Sequence, residues 1–206
     1  MTAGLLDPHD GTHREALFVW LNSWGCRQFA KEHHATTASE SLISWAEEWL
    51  DRLPSLDIDL SNAASTDHAL LGDAYEDLRF RTASLRHVAA RESHVTYGPV
   101  GAAKTLFALR PRLFAPWDNP IINMLKYWPA RGPDYARYLS DIRLLLEQLS
   151  ANSGTPIAEI PALIGRPDSS PVKLIDEYNW VKITRGFEAP TIGQLHEWLA
   201  WAEQGS

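Results

Sequence analysis

Apolar residues recur every three or four positions along most of this chain, the spacing of helices with one buried face. From Thr12, Ala16, Leu17, Trp20, Leu21 and Trp24 fall on one stripe. Ser39 is placed to cap a second helix through Leu53, with Leu42, Trp45, Ala46 and Trp49 inward and Pro54 as its stop. Thr66 or Asp67 opens a long helix to about His87, passing Leu70, Leu71, Ala74, Leu78, Leu85 and Val88. Val100, Ala103, Leu106 and Phe107 give a short apolar helix, and Pro120 starts another that reaches Tyr127. Asp134 opens a helix to about Ser150, with Tyr135, Tyr138, Leu139, Ile142, Leu145, Leu146 and Leu149 as its face. Residues 152–167 are punctuated by Pro and Gly, with room for a short helix from Ile157 to Leu163. Ser170-Pro171 begins a helix through Ile183, and Thr191 with Gln194 forms a capping box for a last one, faced by Ile192, Leu195, Trp198, Leu199 and Ala202. Alternation is confined to Asp57-Ile58-Asp59-Leu60, a short extended piece within a loop. The expectation is an all-α fold in one helical domain over residues 1–206, with the N- and C-terminal segments forming a helical lobe.

Composition agrees with a globular protein: of 206 residues, 45% are apolar and 22% charged. The chain has one cysteine, Cys26, so neither an internal disulfide nor a multi-cysteine zinc site is available. Neighbouring His33 and His34 diverge on a helix and make a poor chelate, and His87 with His94 lacks nearby ligands, so no metal is expected. No apolar run is long enough to span a membrane and no leader-like segment opens the chain, which points to a cytoplasmic protein. A monomer is expected.

Net charge is −7, which at first disfavours nucleic acid. The charge is unevenly spread, however. Between Arg79 and Arg137 ten Lys and Arg stand against three acidic residues, giving that segment +7 and the remainder −14. Affinity for phosphates follows local basic surface rather than the total.

That basic block surrounds the most distinctive stretch, Tyr97-Gly98-Pro99-Val100-Gly101-Ala102-Ala103-Lys104, followed by a helix and then Phe114-Ala115-Pro116-Trp117-Asp118-Asn119-Pro120. Gly98 and Gly101 bracket a rigid Pro-Val pair, a tight turn that enters a helix with free N–H groups and suits a phosphate. Asp118 precedes Asn119-Pro120, where it can cap the next helix and stay ionised at its N-terminus. Near the start of the chain, Trp20-Leu21-Asn22-Ser23-Trp24-Gly25-Cys26-Arg27 combines aromatic faces with polar side chains. Such a set can stack and hydrogen-bond an extruded base; equally, the tryptophans can be core, with Asn22 and Arg27 on the surface.

Gly98-Pro99-Val100-Gly101, an apolar helix and then Pro116-Trp117-Asp118 resemble the helix-hairpin-helix DNA glycosylases, over roughly residues 80–125. The resemblance implies a helix-hairpin-helix glycosylase-like bundle that binds double-stranded DNA with a base flipped out and needs no cofactor. It gives Asp118 the place of the catalytic aspartate. It gives Gly98, Val100 and Gly101, with Lys104, Arg91 and Lys126 of the basic block, the DNA backbone. Asn22, Trp24, Arg27, Trp117 and Asn119 become the base pocket. Two features depart from the family. Gly-Pro-Val-Gly stands where an apolar residue followed by Pro-Gly-Val-Gly is usual. The lysine that lyase members carry two residues after the matching glycine is replaced by Ala103, and Lys104 lies about 100° further round the helix. The expectation is therefore a monofunctional enzyme.

In such an enzyme Asp118 would stabilise positive charge on the sugar and orient or deprotonate the attacking water. The Trp20–Arg27 stretch is unlike that of housekeeping repair glycosylases and more similar to a divergent branch linked to hypermodified phage bases, including antiviral glycosylases that remove glucosylated hydroxymethylcytosine. Two other readings stand beside this one: an N-glycosidase of free modified nucleosides or nucleotides, and a non-catalytic helical nucleic-acid-binding module in which Asp118 is only a cap.

Overall fold

The computed structural model describes residues 6–88 and 91–197, and helices dominate these. Helix α1 (Gly11–Ser23) starts where the Asp10 carboxylate accepts the N–H groups of Thr12 and His13. Its buried stripe is Leu17, Phe18 and Leu21, while Ala16 lies exposed and Trp24 follows the last turn. Helix α2 (Ser39–Trp49) buries Leu42, Trp45, Ala46 and Trp49 as its spacing predicts. Ser39 sits inside the helix rather than capping it, since a π-turn over His34–Ala38 leads straight in.

Helix α3 (Ser65–Phe80) is shorter than the sequence predicts. Asp67 reaches back to accept the Ala64 N–H at 2.8 Å, and buried Leu71, Ala74, Tyr75 and Leu78 mark its inner face. Beyond Phe80 the chain turns extended and forms an antiparallel hairpin, β1 (Thr82–Val88) with β2 (Arg91–Thr96), the one sheet among the described residues. Pairs run from Thr82↔Thr96 to Val88↔Arg91, with an irregularity between Thr82 and Ser84. The expectation of a helix to His87 failed because Leu78, Leu85 and Val88 keep helical spacing across the boundary. No Gly or Asn marks the hairpin turn either. The fold is thus mostly α with a small β-hairpin. A strand, not a helix, precedes the glycine turn.

Helix α4 (Gly98–Leu109) follows, with Gly98 in the left-handed region at φ +65°. Its residues from Gly101 to Leu106 are all buried, so it runs through the interior. After α5 (Asn119–Met124), helix α6 (Gly132–Ser153) buries Tyr135, Tyr138, Leu139, Ile142 and Leu146. Leu145 and Leu149, predicted on that face, are exposed because the buried stripe is narrower than the apolar one. Short α7 (Ile160–Leu163) leads to α8 (Pro171–Asn179), capped as expected by Ser170, and a π-turn continues it over Trp180–Thr184. Thr191 and Gln194 make the predicted reciprocal cap at 2.9 and 3.3 Å, opening a helical segment over 192–197. Trp198, Leu199 and Ala202 lie outside the described residues. Among the described residues no helix is long and apolar enough to cross a membrane.

The centre of the fold is the packing of α3 on α6. Gly72 and Gly132 let the two backbones touch: a Cβ at 72 would stand 2.6 Å from the Gly132 carbonyl oxygen, and one at 132 would stand 2.8 Å from that of Gly72. Glu76, one turn on from Gly72, accepts the Gly132 N–H at 2.9 Å and so caps α6 from α3. Gly72→Ala must push the helices apart and is expected to cost about 1–3 kcal/mol, read as a lower urea midpoint with an unchanged slope.

Candidate active site

Trp117 anchors the site. Its indole is 1% exposed and packs among Tyr75, Tyr127, Tyr135 and Tyr138, with ring centroids 4.9–6.0 Å away. The indole N–H donates to the Pro99 carbonyl at 3.1 Å, and the Tyr135 and Tyr138 hydroxyls donate to the carbonyls of Ala115 and Pro116. The Ala115–Trp117 strap is thereby fixed to the glycine turn on one side and to α6 on the other. Trp117, expected in the base pocket, is among the residues lining the cleft but is chiefly core.

Asp118 emerges from this strap at the N-cap of α5. Oδ1 accepts the Ile121 N–H at 2.9 Å, and Oδ2 accepts the Thr184 hydroxyl from the π-turn at 2.7 Å. The first bond is the cap the sequence predicts. The second is a tertiary contact across 66 residues, which spacing cannot reveal. The side chain is half-buried and opens on a cleft of about 850 Å³.

Four segments wall this cleft: Ser23–Gly25 at the end of α1, Val100 and Lys104 of α4, Pro116–Ile121, and Lys173, Asp176, Glu177, Trp180 and Val181 of α8 and its π-turn, with Arg166 at the rim. It therefore unites Asp118 with Trp24, Asn119, Val100, Lys104 and the edge of Trp117. Trp24 is 43% exposed and packs on Trp20 at 4.9 Å. The Lys104 and Lys173 ammonium groups lie 5.2 and 5.1 Å from its ring centroid. Lys104 is buried and donates to the Trp24 carbonyl at 3.0 Å, so a cation closes the C-terminal end of α1. Lys104 thus lines the cleft, whereas Ala103 is buried and is not among the lining residues, the reverse of the directions their places on the helix predict.

Other predicted residues lie elsewhere. Asn22 donates to the Phe29 carbonyl at 2.7 Å and meets the His34 ring at 3.3 Å, holding the loop after α1. His34 is buried, with Nδ1 3.1 Å from Glu15. Arg27 is exposed outside the cleft walls. Gly101 is buried, and the Gln28 amide occupies the space a Cβ would need while donating to the Tyr97 carbonyl at 2.7 Å. The close approach Gly101 permits is thus made by Gln28, and Val100 is the part of the turn that faces the cleft.

The basic block is largely neutralised within the fold. Arg79 and Arg131 pair with Glu76, Arg81 with Asp77 and Glu48, Arg112 with Asp59, and Arg137 with Asp134. Arg110 donates to the carbonyls of Pro54 and Ser55. Arg86, Arg91 and Lys126 are exposed and make no ion pair among the described residues, but none of the three lines the cleft. The net excess counted in the sequence therefore overstates the free positive surface.

Helix α8 supplies what the sequence reading missed. Asp176 is buried, with Lys173 donating to its Oδ2 at 2.6 Å, and Glu177 takes a two-point contact from Arg166 at 2.9 and 3.0 Å. Burial pushes the Asp176 carboxyl above its ordinary range against the pull of Lys173, and the negative charges of Glu177 and Asp118 push the same way. One signal was present: Asp176 falls on the helical stripe of Val172, Ile175 and Asn179, a carboxylate on a core-facing side. No family model, curated protein or solved structure matches this chain.

Proposed function

We propose that this protein is an N-glycosidase that hydrolyses the bond between a modified base and its sugar, with the base flipped out of DNA. The observation that carries the reading is Asp118, a carboxylate fixed at two oxygens yet open to a large cleft flanked by Trp24 and Trp180. As the C1′–N bond breaks, positive charge grows on the sugar, and an immobilised carboxylate stabilises it without reorganising. Water is then held by the same group for attack on C1′. A cleft of about 850 Å³ lies near the top of the range of roughly 300–1,000 Å³ for small-molecule sites. A bare base would leave much of it empty, which favours a bulky substituent such as a sugar on hydroxymethylcytosine, and with it a role in antiviral defence. The relation to the helix-hairpin-helix glycosylases is part of this proposal and rests on the glycine turn, α4 and Asp118. The preceding β-hairpin would be this protein's own variation.

A second reading, hydrolysis of free modified nucleosides, is favoured by the internal pairing of the basic block and by Gln28 covering Gly101. Incubation with glucosylated phage DNA, unmodified DNA and the matching free nucleoside separates the two. Abasic sites in glucosylated DNA, formed less readily as salt rises, support the first reading. Cleavage of the nucleoside alone supports the second, and inactivity on all three overturns both.

Thr184 is a positioning residue in either case, because its hydroxyl holds Asp118 Oδ2. Thr184→Val removes one hydrogen bond to a charged group and is expected to lower kcat about tenfold, with KM nearly unchanged, whereas Thr184→Ser retains the rate.

A further inference from the structure

Asp176 has no part in the mechanism so far, and its placement is hard to explain as structure alone. A Lys–Asp pair three residues apart on one helix is ordinarily a solvated surface contact of small value. Here Asp176 is 6% exposed as a residue and lies on the core side of α8, where desolvation of its carboxylate is costly. It also shares the cleft with Asp118. Two carboxyl groups thus share one site in unlike surroundings: Asp118 accepts an N–H and a hydroxyl at the cleft wall, whereas Asp176 is buried on α8.

We propose that Asp176 is the proton donor to the departing base, while Asp118 faces the sugar; this rests on the N-glycosidase reading above. In the reaction the C1′–N bond breaks and its electron pair moves to the base. The Asp176 carboxyl proton neutralises the base at an acceptor atom, and water adds to C1′ and gives its proton to Asp118. Release of that proton to solvent and uptake of one by Asp176 restore both groups, so the sum is addition of one water across the bond. The charged and titratable groups around Asp176 are Lys173 and Glu177 on its own helix, Asp118 from the strap, and Tyr138 and Tyr135 from α6. Lys173 opposes the acid form, and burial with the two carboxylates favours it. Both tyrosines stay neutral, since burial holds their hydroxyls far above the usual range. Activity therefore falls as pH rises through the Asp176 titration, because the acid form is lost.

The test uses the whole protein with glucosylated phage DNA and the free glucosylated nucleoside as probes. Asp176→Asn is expected to lower base release about 100-fold and to abolish the alkaline limb of the pH profile, while Asp176→Glu recovers part of the rate. Carboxyl-carbon NMR of the wild type should find Asp176 titrating above the ordinary aspartate range, moving down in Asp118→Asn as the neighbouring charge is removed. An Asp176→Asn protein with the wild-type rate, or with a uniformly lower rate and an unchanged profile, overturns the donor role and leaves the N-glycosidase reading standing. Insensitivity of Asp176 to Asp118→Asn overturns the pairing. A wild type that releases no base from either probe overturns the parent reading and this one together.

Discussion

Asp118→Asn is expected to abolish most base release, by about 10²- to 10⁴-fold, while the melting temperature moves by no more than about 2 °C. The two halves of this result follow from different atoms. Asn caps a helix about as well as Asp, so the bond from the Ile121 N–H survives, and the new amide can donate to Thr184. What disappears is the negative charge that the proposed mechanism sets beside C1′. If the carboxylate served only as a cap, base release would be unchanged by the substitution; in a non-catalytic binding module neither protein would release base, and both would bind nucleic acid equally. Measuring rate and thermal midpoint on the same preparation separates the two.

Trp117→Ala carries the largest expected cost in stability, about 3–5 kcal/mol. The side chain contacts four tyrosine rings and ties the strap to the glycine turn through Pro99, so truncation leaves a cavity and frees the segment bearing Asp118. For a chain of this length that corresponds to a fall of roughly 10 °C in Tm. Trp117→Phe, which fills most of the space but loses the indole N–H, should fall between the two. A Trp117→Ala protein as stable as wild type would mean that the strap is held by α6 and the tyrosine hydroxyls alone.

Much of the helical framework was legible because its signals are local. Proline and serine set the start of α8, Thr191 and Gln194 cap the segment after it, and the spacing of Leu42, Trp45, Ala46 and Trp49 gives the inner face of α2. The hairpin of β1 and β2 was hidden because its apolar residues continue the helical period of α3. Asp118 could be found from its neighbours in sequence, since a carboxylate before Asn-Pro is placed by the helix it caps. The rest of the cleft could not. Lys173, Asp176 and Thr184 reach it only because α8 folds back from more than 50 residues along the chain, as the 66-residue separation of Thr184 from Asp118 illustrates. Counting charges also misled, because Arg81, Arg112 and Arg131 find carboxylates far along the chain, at Glu48, Asp59 and Glu76, and Arg79 pairs with Glu76 just outside the counted segment.

The most direct measurement of the central claim follows the oxygen of water. Wild-type protein is incubated with glucosylated phage DNA, and separately with the free nucleoside, in ¹⁸O-enriched water, and the products are analysed by mass spectrometry. A released intact base and one heavy oxygen at the anomeric carbon of the remaining sugar are expected, with both features missing from Asp118→Asn. Label in phosphate, a base altered on the ring, or no free base from either substrate would contradict that claim.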